Sequence, residues 1–335
     1  MAGPSVEADT ISVIVCSHTL ERWDNLRACV DSIRAQTMAP TETIVVIDGN
    51  DELERSARAG LEGVAVVGNR HGRGLSGGRQ TGAERAHGSI LAFLDDDAVA
   101  DPDWLERLAA VYRDPLVLGV GGSIDPVWER REPSWFPAEF NWVVGCTYPG
   151  MPLQTARVRN VIGANMSMRA SVLAYAGAFD TRLGRAPGAK SLSGSAEETE
   201  LCIRAAHALP GHYWIYEPRA HVVHAVPPGR GSWRYFVRRC VVEGTAKGLL
   251  SRIAGGDAGL SSERAYVRSV LPRALARELA SAARGRPQGL ARAGAIVAGL
   301  AITTAAYGRS WCSATSRASS PAPVAPDVAS ERLAR

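Results

Sequence analysis

An uninterrupted apolar run, Ile-Leu-Ala-Phe-Leu at residues 90–94, ends in three successive carboxylates, Asp95, Asp96 and Asp97. A run of that length and composition fits a strand buried on both faces, so its tip carries three like charges to a sheet edge. Adjacent carboxylates repel one another, and a hard divalent cation relieves the repulsion. Mg2+ and Mn2+ take oxygen ligands, bind through one or two protein carboxylates and complete their shells with phosphate and water. The triplet therefore reads as a site for a cation and a nucleotide diphosphate. The alternative is a solvated acidic turn, with Pro102 and Asp103 leading into a helix that begins near Trp104.

The residues before the triplet alternate between short β-branched runs and helical patterns. Residues 11–16 read as a first strand, residues 21–37 as a helix with Leu26, Cys29, Val30 and Ile33 on one face, and residues 43–47 as a second strand stopped by Asp48-Gly49-Asn50-Asp51. A third strand at 64–67 precedes the glycine-rich residues 72–78 and a helix over 79–86. Strands alternating with helices predict right-handed crossovers and a largely parallel sheet covered on both faces. Ligands of such sheets bind beyond the carboxyl ends of the strands, which gathers Ser17, His18, Asp48, the glycine-rich loop and the Asp triplet along one edge. Residues 72–77 also satisfy G-x-G-x-x-G, the dinucleotide fingerprint. These glycines follow the third strand instead of the first, and the acidic group downstream is a triplet suited to metal.

In this order the motifs resemble those of the family 2 glycosyltransferases with the GT-A fold. The pieces are Ile-Ser-Val-Ile-Val-Cys at 11–16, Ile-Val-Val-Ile-Asp-Gly at 44–49, Gly-Leu-Ser-Gly-Gly-Arg-Gln-Thr-Gly at 74–82, and the Asp triplet with Pro102 beyond it. The resemblance covers residues 11–248. It implies an α/β GT-A domain, Rossmann-like, whose mostly parallel sheet is flanked by helices. It implies an enzyme that moves a sugar, with inversion, from a nucleotide-diphosphate sugar to an acceptor hydroxyl with the help of Mn2+ or Mg2+. By the same resemblance Asp48 bonds the nucleobase, Asp96 lies near the ribose, Asp97 binds the cation, and Asp95 opens the D-x-D-type signature. The chain departs from the usual family pattern at His18-Thr19 and at Ile47-Asp48, where a Tyr-Asn pair and two Asp residues are common. Ser17 and Arg79 join the nucleotide-sugar group, and Arg79 is placed near the leaving phosphate.

Further along, Gly163-Ala164-Asn165 resembles a segment that lies under the transferred sugar, which brings Asn165 into the donor site. Glu197-Glu198-Thr199-Glu200-Leu201 is similar to the Glu-Asp-x-Asp/Glu-Leu motif whose second acid is the catalytic base. That maps to Glu198, with Glu197 as the alternative because Glu is one methylene longer than the usual Asp. Without the resemblance these acids would simply be favourable in a first helical turn. His221 and His224 are three apart in a stretch that reads as strand, so they point to opposite faces and do not suggest zinc. The family often has a Val-x-His here whose imidazole approaches the metal, which makes His224 the second metal residue. Residues 158–169 read as one strand, 213–216 as a late strand, and 230–250 as a helix in which Arg234, Arg238 and Arg239 either close over a phosphate or form a solvated face. The aromatic residues between 124 and 148 either line an acceptor pocket or pack as core.

Of 335 residues, the formal net charge is +4, and residues 244–335 hold 13 Lys or Arg against 5 Asp or Glu, a net of +8 that leaves −4 for residues 1–243. A basic, Arg-rich helical end suits an anionic lipid surface or a phosphorylated acceptor, while the sparse aromatics among those charges argue against nucleic acid. Residues 293–307 are uncharged but fewer than the roughly 20 needed to span a bilayer, so a helix packed on the domain or lying at a membrane surface is expected. The six cysteines show no Cys-x-x-Cys pair, which predicts free thiols, and the first ten residues lack the basic and apolar regions of a secretory signal. The organisation expected is a disordered stretch at 1–9, a GT-A domain at 10–243, a helical extension at 244–312 and a disordered tail at 313–335. The location expected is the cytoplasm, including the inner face of the cell membrane. Acceptors compatible with this reading are sugars, lipid-linked sugars and natural products. The competing readings are a catalytically silent nucleotide-binding module and a nucleotidyltransferase.

Overall fold

A computed structural model describes residues 9–180, 197–253 and 261–313. The expected disordered stretch at 1–9 and tail at 313–335 lie almost wholly outside the described residues. Strands β1 (Ile11–Ser17), β2 (Glu42–Ile47), β3 (Ala65–Gly68) and β4 (Ile90–Asp95) form a parallel block in the order β3-β2-β1-β4. Helices α1 (Trp23–Arg34), α2 (Asp51–Gly60) and α3 (Leu75–Arg85) make its crossovers. The order is built outward from β1 in both directions, which leaves the carboxyl ends of β1, β2 and β4 side by side. Along β4, Ile90, Ala92 and Leu94 enter one core while Leu91 and Phe93 enter the other. This two-sided burial is why the strand reads as a continuous apolar run.

The rest of the sheet is mixed. Strand β8 (Asn165–Arg169) runs antiparallel between β4 and β6 (Val117–Trp128), and β6 pairs in parallel with the long β9 (Tyr213–Val226). Two short strands, β5 (Ala98–Ala100) and β7 (Ala156–Val158), add to the far edge of β9. The single strand expected over 158–169 is instead β7 and β8 with a break between them. In that break the Arg79 guanidinium donates to the Gly163 carbonyl at 2.9 Å, and a Cβ on Gly163 would lie 2.5 Å from it. Residues 159–164 leave the sheet to receive that side chain. Strand β9 runs well past the expected 213–216 and pairs with β6 across register shifts near Gly119 and Ile124. Bulges of this kind break a clean alternation pattern.

Helix α4 (Trp104–Val111) packs beneath β9, and α5 (Ser171–Ala176) pairs with α6 (Glu197–Ala208) over the second core. The glycines at 78 and 82 let α3 lie close on the sheet, since a Cβ on Gly82 would come within 2.4 Å of the Ile14 side chain and one on Gly78 within 3.1 Å of Cys16 Sγ. Of the glycines that matched the dinucleotide pattern, Gly74 has a positive φ of 120° ahead of α3, and a Cβ on Gly77 would lie 2.0 Å from the Gly72 carbonyl, so they serve the turn into the helix. The C-terminal part is helical: α7 (Trp233–Ile253), α8 (Ser261–Ala265), a π-helical turn over Tyr266–Val270, α9 (Leu271–Ala283) and α10 (Gln288–Ser313). Helix α7 runs unbroken through residues 243 and 244, on both sides of the boundary drawn from sequence. It packs along α10, where a Cβ on Gly244 would meet the Thr303 carbonyl at 2.2 Å. Helix α10 is longer than the uncharged residues 293–307 suggested, and its stretch Gln288–Cys312 is long and apolar enough to cross a membrane by length and composition.

The aromatic residues between 124 and 148 pack as core. Phe136 and Phe140 are buried against Phe236 of α7 with ring centroids 6.0 and 5.2 Å apart, and Trp128 meets Phe136 at 5.3 Å. None of the six cysteines is joined in a disulfide.

Candidate active site

The carboxyl end of β4 delivers Asp95, and the turn that follows, before β5, carries Asp96 and Asp97. Asp95 and Asp97 come together with His224 of β9, with one ligand atom from each lying within 4.8 Å of the others. The pairing of β5 with β9 sets His224 opposite Ala98, one residue past Asp97, and this register brings the imidazole to the triplet. His224 Nε2 lies 3.0 Å from Asp97 Oδ1. His221, on the other face, sits between Asp101 and Asp125 at 2.9 and 3.4 Å and takes no part in the centre.

Asp97 is buried and carries a concentration of positive charge. Arg22 and Arg230 reach its Oδ2 at 3.2 and 3.5 Å. Burial alone would raise its carboxyl, but His224, Arg22 and Arg230 outweigh that and hold it well below the usual carboxylate range. Asp96 accepts from Ser17 Oγ at 2.6 Å and from Arg22 at 2.9 Å. Burial pushes Asp96 up, and the charge of Asp97 adds to the effect against Arg22 and the Ser17 hydroxyl. Both of its oxygens are engaged by protein, so the structure ties Asp96 and Ser17 to each other and to Arg22.

Arg79 joins the two acidic ends of the site. Its buried guanidinium lies 3.5 Å from Asp95 Oδ1 and 3.5 Å from Glu197 Oε1, and the charge of Glu198 acts on it as well. Glu197 opens α6 fully buried, and its Oε2 has no hydrogen-bond partner among the described residues. Glu198 beside it is half-buried. Asp48, just past β2, accepts from the Asn69 side chain at 2.8 Å and from the Gly74 backbone N–H at 2.9 Å, which fastens the glycine-rich loop to the strand edge. Cys16 lies against Gly78 of α3, but burial pushes its thiol up to about 12, which excludes a thiolate nucleophile at neutral pH.

Asn165 opens β8 opposite Leu94, one residue before Asp95, but its side chain is taken up by protein. Its side chain is wholly buried, accepts from Trp104 Nε1 at 2.8 Å, and donates to the carbonyls of Ser123 and Ala220 at 3.0 and 2.8 Å. It is saturated by protein and pins β8 to β6, β9 and α4. The arginines of the helix near 230 also divide differently from expectation. Arg234 and Arg238 are exposed and Arg239 is buried, while Arg230, in the turn Pro228–Gly231 ahead of α7, is the one at Asp97. Neither Arg22 nor Arg230 sits in a motif, and only the fold shows that they meet at one carboxylate. The hint available in sequence was Arg22 itself, a cation placed just after a strand whose end faces three Asp residues.

Residues 12–175 match the family model described as glycosyl transferase family 2. The chain is 36% identical over 244 residues to the glucosyl-dolichyl phosphate glucuronosyltransferase of Haloferax volcanii, covering 72% of this chain and 77% of that protein. The chain belongs to glycosyl transferase family 2. It is therefore a glycosyltransferase, and the nucleotidyltransferase and silent-module readings are set aside. The chain is also similar to the succinoglycan biosynthesis protein ExoM of Rhizobium meliloti, 25% identical over 255 residues, 72% of this chain and 74% of that protein. Among solved structures, a mannosyltransferase from Pyrobaculum calidifontis in complex with GDP-Man and Mn2+ superposes with a TM-score of 0.58 at 21% identity, covering 91% of this chain and 88% of that one. The family 2 fold is thus GT-A, with a C-terminal helical extension in this member.

Proposed function

We propose that the chain is an inverting glycosyltransferase that moves a sugar from a nucleotide-diphosphate sugar to the hydroxyl of a lipid-linked acceptor, with a divalent cation at Asp95, Asp97 and His224. The observation that carries this reading is the position of Arg79, which links Asp95 on the cation side to Glu197 on the acidic helix. The donor set fits the cation: two carboxylates and one imidazole converge within 4.8 Å, the carboxylates suit Mn2+ or Mg2+, and the imidazole nitrogen favours Mn2+, the softer of the two. A cation bound there supplies Lewis-acid neutralisation of the charge that develops on the leaving phosphate.

The chain's own residues do the rest. Asp48 holds the rim where the nucleobase enters, and Ser17 and Asp96 keep Arg22 at the diphosphate end. Asp95 and Arg79 line the path between diphosphate and acceptor. Glu198 is the base: as the acceptor oxygen bonds to the anomeric carbon, the bond from that carbon to the diphosphate breaks, and the hydroxyl proton passes to the Glu198 carboxylate. Glu197, buried and paired with Arg79, orients that machinery and is the alternative base. A single displacement inverts the anomeric centre and needs no covalent enzyme intermediate.

The lipid-linked acceptor rests on the relative that acts on glucosyl-dolichyl phosphate, together with the basic helical end. Arg-rich helices suit the cytoplasmic face of a membrane, where anionic lipid attracts them. The test is release of nucleotide diphosphate from a panel of UDP-, GDP- and dTDP-sugars with Mn2+, with and without a polyprenyl phosphate sugar as acceptor. Release that depends on both Mn2+ and the lipid supports the reading, and NMR of the product should show an inverted anomeric centre. Release indifferent to the lipid, or a retained anomer, contradicts it.

A further inference from the structure

Arg22 closes a short 3-10 turn, Leu20–Arg22, between β1 and α1, and its side chain is 27% exposed. It is anchored on Asp96 at 2.9 Å and reaches Asp97 Oδ2 at 3.2 Å, the oxygen that Arg230 also approaches at 3.5 Å. Around the triplet the chain assembles four carboxylates, Asp95, Asp96, Asp97 and Glu197, against three guanidiniums, Arg22, Arg79 and Arg230. With Glu198, whose charge also acts on Arg79, five carboxylates face these three guanidiniums, so the protein itself neutralises much of the acidic cluster. A divalent cation taking Asp97 must approach two fixed positive groups at one carboxylate, and in a buried setting such repulsion is felt strongly. A cation that arrives with a nucleotide diphosphate adds little net charge, and the diphosphate brings oxygens that a guanidinium binds well.

Building on the cation reading above, we propose that Arg22 is a counter-cation that makes cation binding at Asp97 depend on the donor. Held through Asp96, it opposes the divalent cation alone and turns its exposed edge to the diphosphate when the two enter together. Asp96 and Ser17 act here as positioning residues, fixing the guanidinium between the carboxylate and the open edge. Arg230 contributes in the same sense from the opposite side, at a longer distance.

The test is Mn2+ affinity of the full chain, measured by calorimetry or by the Mn2+ EPR signal, with no nucleotide and with UDP or GDP. The unsubstituted protein should bind Mn2+ weakly alone and more tightly with a nucleotide diphosphate. Arg22→Ala should bind Mn2+ alone about tenfold more tightly and lose a similar factor of the enhancement by nucleotide. Arg22→Gln, which removes the charge but keeps a hydrogen bond for Asp96, should do the same if the alanine variant folds poorly, and Arg22→Lys should resemble the unsubstituted protein. Mn2+ binding that Asp97→Asn abolishes but Arg22→Ala and Arg22→Gln leave unchanged or weaken overturns this inference while sparing the cation reading. No Mn2+ binding to the unsubstituted protein, even with both nucleotides, overturns the two together.

Discussion

Asp96 and Asn165 show how far a residue's chemistry can depart from its motif. Each belongs to a segment that resembles donor-binding sequence, yet each has its polar atoms engaged by protein. Strand β4 ends at Asp95 and the chain turns at Asp96 and Asp97, so the turn and not the strand decides that Asp95 and Asp97 meet His224 while Asp96 is held by Ser17 and Arg22. For Asn165 the prediction is structural. Asn165→Ala removes three buried hydrogen bonds and strands their partners, which should cost about 2–4 kcal/mol in denaturant unfolding. The fraction that folds should keep its KM for the donor, whereas a selective rise in donor KM without loss of stability would show that Asn165 contacts the sugar. The residues that no pattern marked, Arg22 and Arg230, are the converse. Arginine is common on surfaces, and only the meeting of a turn before α1 with a turn before α7 gives these two a carboxylate in common.

At the scale of elements, the parallel block β3-β2-β1-β4 was legible and the mixed half of the sheet was not. The runs that became β1, β2 and β4 are apolar because both faces are covered, and the face of α1 expected from Leu26, Cys29, Val30 and Ile33 is the one buried. By contrast β5 is three residues long, and β9 is joined to β6 across shifts of register, so local pattern carries little of either. The C-terminal helices are tied by charge to the segment between β7 and β8. Glu263 of α8 takes both outer nitrogens of Arg159 at 2.9 and 2.8 Å and Lys247 of α7 at 2.7 Å. Burial would raise the Glu263 carboxyl, but Lys247 and Arg159 overcome it and lower it from 4.5 to about 2. A carboxylate depressed in the folded state contributes stability above its unfolded value, and that contribution drains away as pH falls from 4.5 toward about 2. Glu263→Gln should therefore lower stability by about 2–4 kcal/mol at neutral pH and by much less near pH 2, measured as unfolding free energy against pH. A variant whose deficit is independent of pH would show that the ion pair is not what Glu263 contributes.

For the whole molecule, the separation of charge is the feature with consequences beyond the site. The net +8 of residues 244–335 stands apart from the −4 of the rest, and α10 carries an uncharged apolar stretch on that basic end. Part of α10 is spent on packing, since Ala293, Ala295, Ile296 and Ala306 are buried, while Leu290 and Val297 stay exposed. Such a surface should bind vesicles containing phosphatidylglycerol more strongly than pure phosphatidylcholine, with added salt weakening the difference, as co-sedimentation can measure. Equal binding to both lipids, or none, would remove the membrane from the account.

The central claim is a division of labour between two acidic ends joined by Arg79, with Asp97 on the side of the leaving group and Glu198 on the side of the acceptor. The most direct measurement compares Asp97→Asn with Glu198→Gln for Mn2+-dependent nucleotide diphosphate binding and for sugar transfer in the same preparations. Glu198→Gln should retain binding and lose transfer by about 10²–10⁴-fold, while Asp97→Asn should lose both. Transfer at the unsubstituted rate in Glu198→Gln, or unimpaired Mn2+-dependent binding in Asp97→Asn, would contradict it.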